Sequence, residues 1–403
     1  MTNKPDNTEP TNVDCTTSQH NSYALSKKAP KKGYYPEVTS KEVLRFLNQE
    51  NMLVDLEGDE QLYLVDTVYP NLLAIETYTK HLLNTTEPAF TYVSKAGHSP
   101  SVENNKLSVR AALKIASYAL DDNKDYCPLI QLFKDCMAEH FDPTETFNHP
   151  HHITSTGNLL CVDINKFVET LRSRGKGKEF NRKMADHQAA YKHRMKKSEE
   201  LIYGLFSTHS KLTVMRVDLY LGKQRNEHLN LEYCLNCYQR FLNNQRHNTI
   251  FENKVGYIAK LEFTEHRGYH YHFVFFFDGQ KVIQDSYYAN LICNYWIDGI
   301  TKGRGTANNC NKDPQKYARY GMGVGIGVID YRDKDKIANL LYAVSYLAKS
   351  DQYILEKACP KQKTFVTSQL PPPKSNRGRP RKNPEASFKR APQASTNSVE
   401  VQP

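Results

Sequence analysis

The spacing of apolar residues along this chain changes period near residue 210. Before that point the segments KEVLRFLNQENML (41–53), PNLLAIETYTKHLLN (70–84), LSVRAALKIASYALDD (107–122) and CPLIQLFKDCMAEHF (127–141) place apolar residues three and four apart, the spacing of one helix face. They predict a helical domain over residues 38–171. Beyond it, KLTVMRVDLYL (211–221) alternates like a strand and Asn230 to Asn244 reads as a helix. Two β-prone runs, Tyr257 to Thr264 and Tyr269 to Phe277, then flank Glu265, His266, Arg267 and Gly268 as a β-hairpin. A helix from Ile283 to Ile297, a strand near Val324 to Tyr331 and a helix from about Lys334 to Lys357 complete the series. The order β-α-β-β-α-β over residues 201–360 predicts an α+β fold with a ferredoxin-like antiparallel sheet, whose first and third strands lie centrally.

The remaining segments lack such periods. Residues 1–37 are rich in Asn, Thr, Ser, Pro and Lys with few apolar anchors and are expected to be disordered. Residues 172–200 form a basic linker or an exposed helix, with ten Lys or Arg between Arg172 and Lys197 against two acids. Residues 361–403 are expected to be a disordered basic tail. Within that tail Arg377-Gly378-Arg379-Pro380-Arg381-Lys382 resembles an AT-hook, which would seat Arg377, Arg379, Arg381 and Lys382 in a narrow A·T-rich minor groove. An unstructured tail attracted to any polyanion is the alternative.

Charge supports a polyanionic partner. The net charge of +10 is concentrated in the two basic stretches, and nucleic acid is the simplest partner for such clusters. No run reaches the roughly 18 apolar residues of a membrane span, and the polar N-terminus does not read as a signal peptide, so an intracellular protein is expected. Nine scattered cysteines do not suggest a disulfide framework. Cys234 and Cys237 form a lone CxxC in a helical run, with no second pair to complete a zinc site. The glycines of GMGVGIG (321–327) lack the Lys-Ser/Thr of a phosphate loop and are read as a flexible lip near the fourth strand.

Candidate chemistry lies in the hairpin and the last helix. His270-Tyr271-His272 opens the second hairpin strand, and residues two apart on a strand share a face, so both imidazoles project together. Glu262 joins them if the hairpin loop holds an odd number of residues and turns away if the number is even; both parities are compatible with the sequence. The second HxH, at His149 and His151 with His152 following, contains Pro150 and reads as loop. In the last helix Tyr342, Tyr346 and Lys349 fall at i, i+4 and i+7 and share one face. A phenol beside a divalent cation is a nucleophile candidate, although its ordinary pKa of about 10 requires help to ionise.

These residues, with LTVMRVDLYL, the HRGYHYHF block, Tyr295-Trp296 with TKGRGTANNCN, and IDYRDKDKIANLLYAVSYLAKSDQY, resemble the HUH endonucleases. The likeness over Lys211 to Tyr353 is to rolling-circle replication initiators, specifically the replication proteins of inovirus-type phages and prophages. The resemblance implies His270 and His272 as metal ligands, with Glu262 as the acidic third, and Mg²⁺ or Mn²⁺ as the ion. It implies Tyr346 as nucleophile, paired with Lys349 in a YxxK motif, and Tyr342 as the second tyrosine of two-tyrosine initiators. The implied activity nicks a single strand at an origin, leaving a 5′-phosphotyrosine and a free 3′-hydroxyl, and later rejoins strands. Partners would be single-stranded and duplex origin DNA, with helicase and polymerase supplied by a bacterial host whose cytoplasm is the expected location. Two other readings remain: a non-catalytic DNA-binding regulator, and a related HUH transposase or mobilisation nickase.

Overall fold

The computed structural model describes residues 68–92, 101–104, 109–122, 124–221, 231–264, 268–315, 323–349, 354–356 and 363–369. Four helices, α1 (Val68–Leu83), α2 (Val109–Ala119), α3 (Pro128–His140) and α4 (Leu160–Gly175), gather around one apolar cluster that includes Leu72, Ile75, Leu113, Phe133, Ile164 and Phe167. The first three match expected segments; α4 was not foreseen. It buries Leu160, Ile164, Phe167, Val168 and Leu171 at helical spacing, but its polar face dilutes the pattern. Two short strands, β1 (Phe90–Tyr92) and β2 (Ser101–Glu103), pair with each other beside these helices. The segment at 41–53 and the stretch 1–37 lie outside the described residues.

Residues 172–200 take the helical form of the two expected. After α4, helix α5 runs from Lys178 to Thr208. Its first half leaves Arg182, Lys183 and Lys192 exposed. Its second half buries Met195, Ser198, Leu201, Ile202, Leu205 and Phe206. The charge run obscured a stripe that anchors the helix to the sheet.

The six-stranded sheet contains β4 (Lys211–Leu221), β5 (Lys254–Thr264), β6 (Gly268–Asp278), β7 (Gly305–Asn309), β8 (Gly327–Asp330) and β10 (Phe365–Thr367), with order β10-β5-β6-β4-β7 and β8 also paired to β4. All the pairings are antiparallel. The first and third strands, β4 and β6, are central as expected. The strand expected near Val324 to Tyr331 is β8, paired with residues 211–214 of β4, and an additional strand, β7, pairs with residues 217–221. Strand β10 corrects the expectation of disorder throughout 361–403, because Phe365 to Thr367 continue the sheet beyond β5. The last helix, α8 (Lys334–Lys349), stops short of 357, and β9 (Ile354–Glu356) pairs instead with β3 (Lys124–Tyr126) beside the helical cluster.

Helices cover both faces of the sheet. Tyr271, Phe273, Phe275 and Phe277 of β6 point toward α6 (Leu231–Asn244), α7 (Asp285–Asn294) and the π-helical turn Tyr295–Ile300, in a cluster with Phe241 and Trp296. Both Cys234 and Cys237 are buried in this cluster, and burial pushes the Cys234 thiol up to about 12. The Cys234 sulfur packs as a small apolar group, and the Cys237 sulfur accepts from Arg240 Nη2 at 3.3 Å. The opposite face meets α5 and α8 through Val214, Ile258, Val274, Phe276, Leu340 and Val344.

Helix α8 belongs to two cores. Ile337, Leu340, Leu341, Val344 and Leu347 pack on the sheet, whereas Tyr346 is buried in the helical cluster and Tyr342 packs against it. The glycines before β8 serve this helix. A Cβ on Gly325 would stand 2.4 Å from the Leu340 backbone nitrogen, and one on Gly323 would strike Asn339. They permit close packing, in place of the flexible lip expected.

Candidate metal centre

The hairpin decides where the acid goes. Thr264 pairs with Gly268, so three residues separate the strands, and Glu262 stands opposite His270. Gly268 adopts φ +62°, a left-handed conformation that glycine reaches without a Cβ clash and that three-residue hairpin loops use. Glu262, His270 and His272 therefore share a face, the one carrying Val274 and Phe276. Their ligating atoms all lie within 4.8 Å of one another, and the group could hold a metal ion.

Neighbouring groups fix both rings. His270 Nδ1 lies 3.0 Å from the Gly268 carbonyl oxygen, and His272 Nδ1 lies 2.6 Å from Asp218 Oδ1. An ionised carboxylate and a carbonyl only accept, so each Nδ1 is the donor. Both Nε2 atoms consequently face Glu262 Oε2, at 3.2 Å from His272 and 3.7 Å from His270. Two imidazole nitrogens and a carboxylate, without thiolate, form a donor set suited to a divalent cation.

Electrostatics reflect a site made for positive charge. Burial opposes ionisation of Glu262, yet the charge on His272 and the neighbouring imidazoles hold its carboxyl well below the usual range. Burial also opposes charge on His272, but Asp218 and Glu262 push it up to about 10. At His270 burial prevails and lowers the pKa, despite Glu262. Without a metal, a proton on His272 thus supplies the positive charge between the two carboxylates.

Strand register adds residues that sequence reading missed. Asp218 stands opposite His272 on β4, while Lys260 stands opposite it on β5. Asp218 and Lys260 are both fully buried. Burial lowers the Lys260 ammonium to about 7, against the opposing pull of Glu262 and with added repulsion from Arg194. Tyr220 faces His270 in the next row, with ring centroids 5.4 Å apart. Arg216 lies on the other side of the Asp218–His272 row, opposite Val274, its Nε 3.4 Å from Asp218 Oδ1. The sequence carried a signal: Arg216 and Asp218 are charged residues two apart in an otherwise apolar strand.

The tyrosines are brought to each other. Tyr346 Oη donates to Tyr342 Oη at 2.6 Å, and their rings meet edge to face at 5.0 Å. Tyr346 is only 3 % exposed, among residues of the helical cluster. Lys349 ends α8, and its side chain lies outside the described part of the structure, as do Arg377, Arg379, Arg381 and Lys382. His149, His151 and His152 lie in an irregular segment, as expected.

Residues 174–366 are similar to the family described as the YagK/YfjJ C-terminal domain. That span covers a little under half of the chain and runs from the end of α4 through β10. It takes in α5 and the edge strand together with the sheet. Comparisons with curated proteins and with solved structures give no match. Among the described residues, no helix is long and apolar enough to cross a membrane.

Proposed function

We propose that the chain is a metal-dependent nickase and strand transferase of the rolling-circle initiator type, acting through Tyr346 on single-stranded origin DNA. The observation that carries this reading is the convergence of Glu262 Oε2 with the inward Nε2 atoms of His270 and His272 on a central strand. Sheet order adds support, since the central pair β4 and β6 with helices between strands is compatible with a ferredoxin-like HUH arrangement. Mg²⁺ or Mn²⁺ held by Glu262, His270 and His272 would polarise a phosphodiester oxygen. Tyr346 Oη would attack phosphorus as the P–O3′ bond breaks, giving a 5′-phosphotyrosine and a 3′-hydroxyl for a host polymerase to extend, with strand separation by a host helicase. Lys349 would neutralise charge on the phosphate, and Tyr342 would perform the second transfer.

Burial of Tyr346 sets a condition on this reading. The hydroxyl must leave its partner Tyr342 and the helical cluster to meet a phosphate, so the C-terminal half of α8 has to shift when DNA binds. Exposed cations along the first half of α5 give the strand a surface to follow. The same burial favours a second reading, in which the chain binds DNA without cutting it and the tyrosines are core residues.

Full-length protein incubated with a randomised single-stranded DNA pool, labelled at the 3′ end, distinguishes the two. A covalent adduct that withstands denaturation, forms with Mn²⁺ but not with chelator, and maps to Tyr346 by peptide mass supports the nickase. DNA retention without an adduct leaves the non-catalytic binder.

A further inference from the structure

The two imidazoles of the centre are oriented by different means. At His270 the acceptor for Nδ1 is the Gly268 carbonyl, part of the hairpin itself. At His272 it is a side chain from another strand, Asp218, at 2.6 Å with no solvent exposure. A buried carboxylate is costly unless its oxygens are satisfied, and Asp218 has further partners. Arg216 Nε lies 3.4 Å from Oδ1, and the Cys310 thiol donates to Oδ2 at 3.4 Å. Arg216 is itself 3 % exposed and anchored through its backbone N–H to Asn311 Oδ1 at 2.8 Å.

The two carboxylates touch different nitrogens of one ring. Glu262 meets Nε2 and Asp218 meets Nδ1, so Asp218 orients the ring from outside the candidate ligand cluster. We infer that Asp218, braced by Arg216 and Cys310, is a positioning residue that holds His272 with Nδ1 protonated and Nε2 bare toward a divalent cation. The inference rests on the metal reading above. Without that acceptor the imidazole can rotate or take the other tautomer, which points an N–H at Glu262 and removes a ligand. Carboxylate partners of metal-bound imidazoles commonly act this way.

Mn²⁺ titration of the full chain, followed by the electron paramagnetic resonance signal of the free ion, tests it. Asp218→Asn is expected to weaken binding by about 10- to 100-fold, and Asp218→Glu to recover part of the loss. Nitrogen-15 spectra of wild-type protein loaded with diamagnetic Zn²⁺ should report Nδ1 of His272 protonated and Nε2 bare, a signature that a purely structural carboxylate would not set. This second measurement decides the matter if Asp218→Asn does not fold. Wild-type affinity in a folded Asp218→Asn, or an Nε2 proton in the loaded wild type, overturns the inference alone. No Mn²⁺ binding by the wild type removes the metal reading and the inference with it.

Discussion

The acid–imidazole centre and the tyrosine pair both place polar groups in dry surroundings, but they are held by different kinds of structure. Each nitrogen of His270 and His272 has a partner from a different piece of backbone or strand: Gly268, Asp218 or Glu262. Tyr342 and Tyr346 pair with each other, four residues apart on one helix. The centre is fixed by groups from three neighbouring strands and could hold a metal ion. The pair shares a hydrogen bond and packs into a neighbouring core. A candidate ligand set fixed from several strands and a tyrosine pair held within one helix are the two sides of the contrast, and each can be broken separately.

The largest effect is expected at the centre. Replacing His272 with Ala removes one ligand and should abolish measurable Mn²⁺ binding by calorimetry. Tyr346→Phe should leave that binding within about twofold and remove the covalent DNA adduct completely. An adduct in Tyr346→Phe would take the nucleophile assignment away.

A pH series sharpens the comparison. His272 has a folded pKa near 10, above the ordinary value of 6.5, so its proton stabilises the metal-free fold fully below about pH 6.5. That contribution is lost progressively as pH rises toward about 10. Mn²⁺ competes for the same nitrogen, so its affinity should climb across this window. Glu262 is shifted the other way, and its stabilisation should be present above its ordinary value of 4.5 and be lost as pH falls through its depressed folded pKa. Lys260, lowered to about 7, gains stability over the same window and opposes this trend, so thermal melts with and without Mn²⁺ between pH 6 and 9.5 are compared with those of His272→Gln; identical pH profiles for the two proteins would contradict the charged His272.

The smallest effect belongs to the pair. Tyr342→Phe removes one buried hydroxyl interaction, worth about 1 kcal/mol, and should lower the denaturation midpoint slightly while leaving metal affinity unchanged. A loss several times larger would mean that the hydroxyls brace the two cores more firmly than their shared bond suggests.

Much of the architecture could be read along the chain because local spacing encodes it. Runs such as VSYLAK on α8 and FVFFFD on β6 declare a helix face and a buried strand. Helix α4 and the second half of α5 were hidden, since polar and basic residues share those segments with the buried stripe. Strand β10 was hidden for another reason. Three residues carry almost no pattern, and Phe365 to Thr367 are a strand only because the open edge of β5 accepts them.

The sequence by itself determined that His270 and His272 share a strand face and that Tyr342 and Tyr346 share a helix face, because both follow from the geometry of one element. Tertiary structure alone decided that Glu262 joins the imidazoles, through a three-residue separation in the hairpin, and that Asp218 stands behind His272, through the register of β4 on β6. It also decided that Tyr346 sits in the helical core. Register and docking depend on contacts between distant segments, and a shift of one residue along a strand exchanges its two faces.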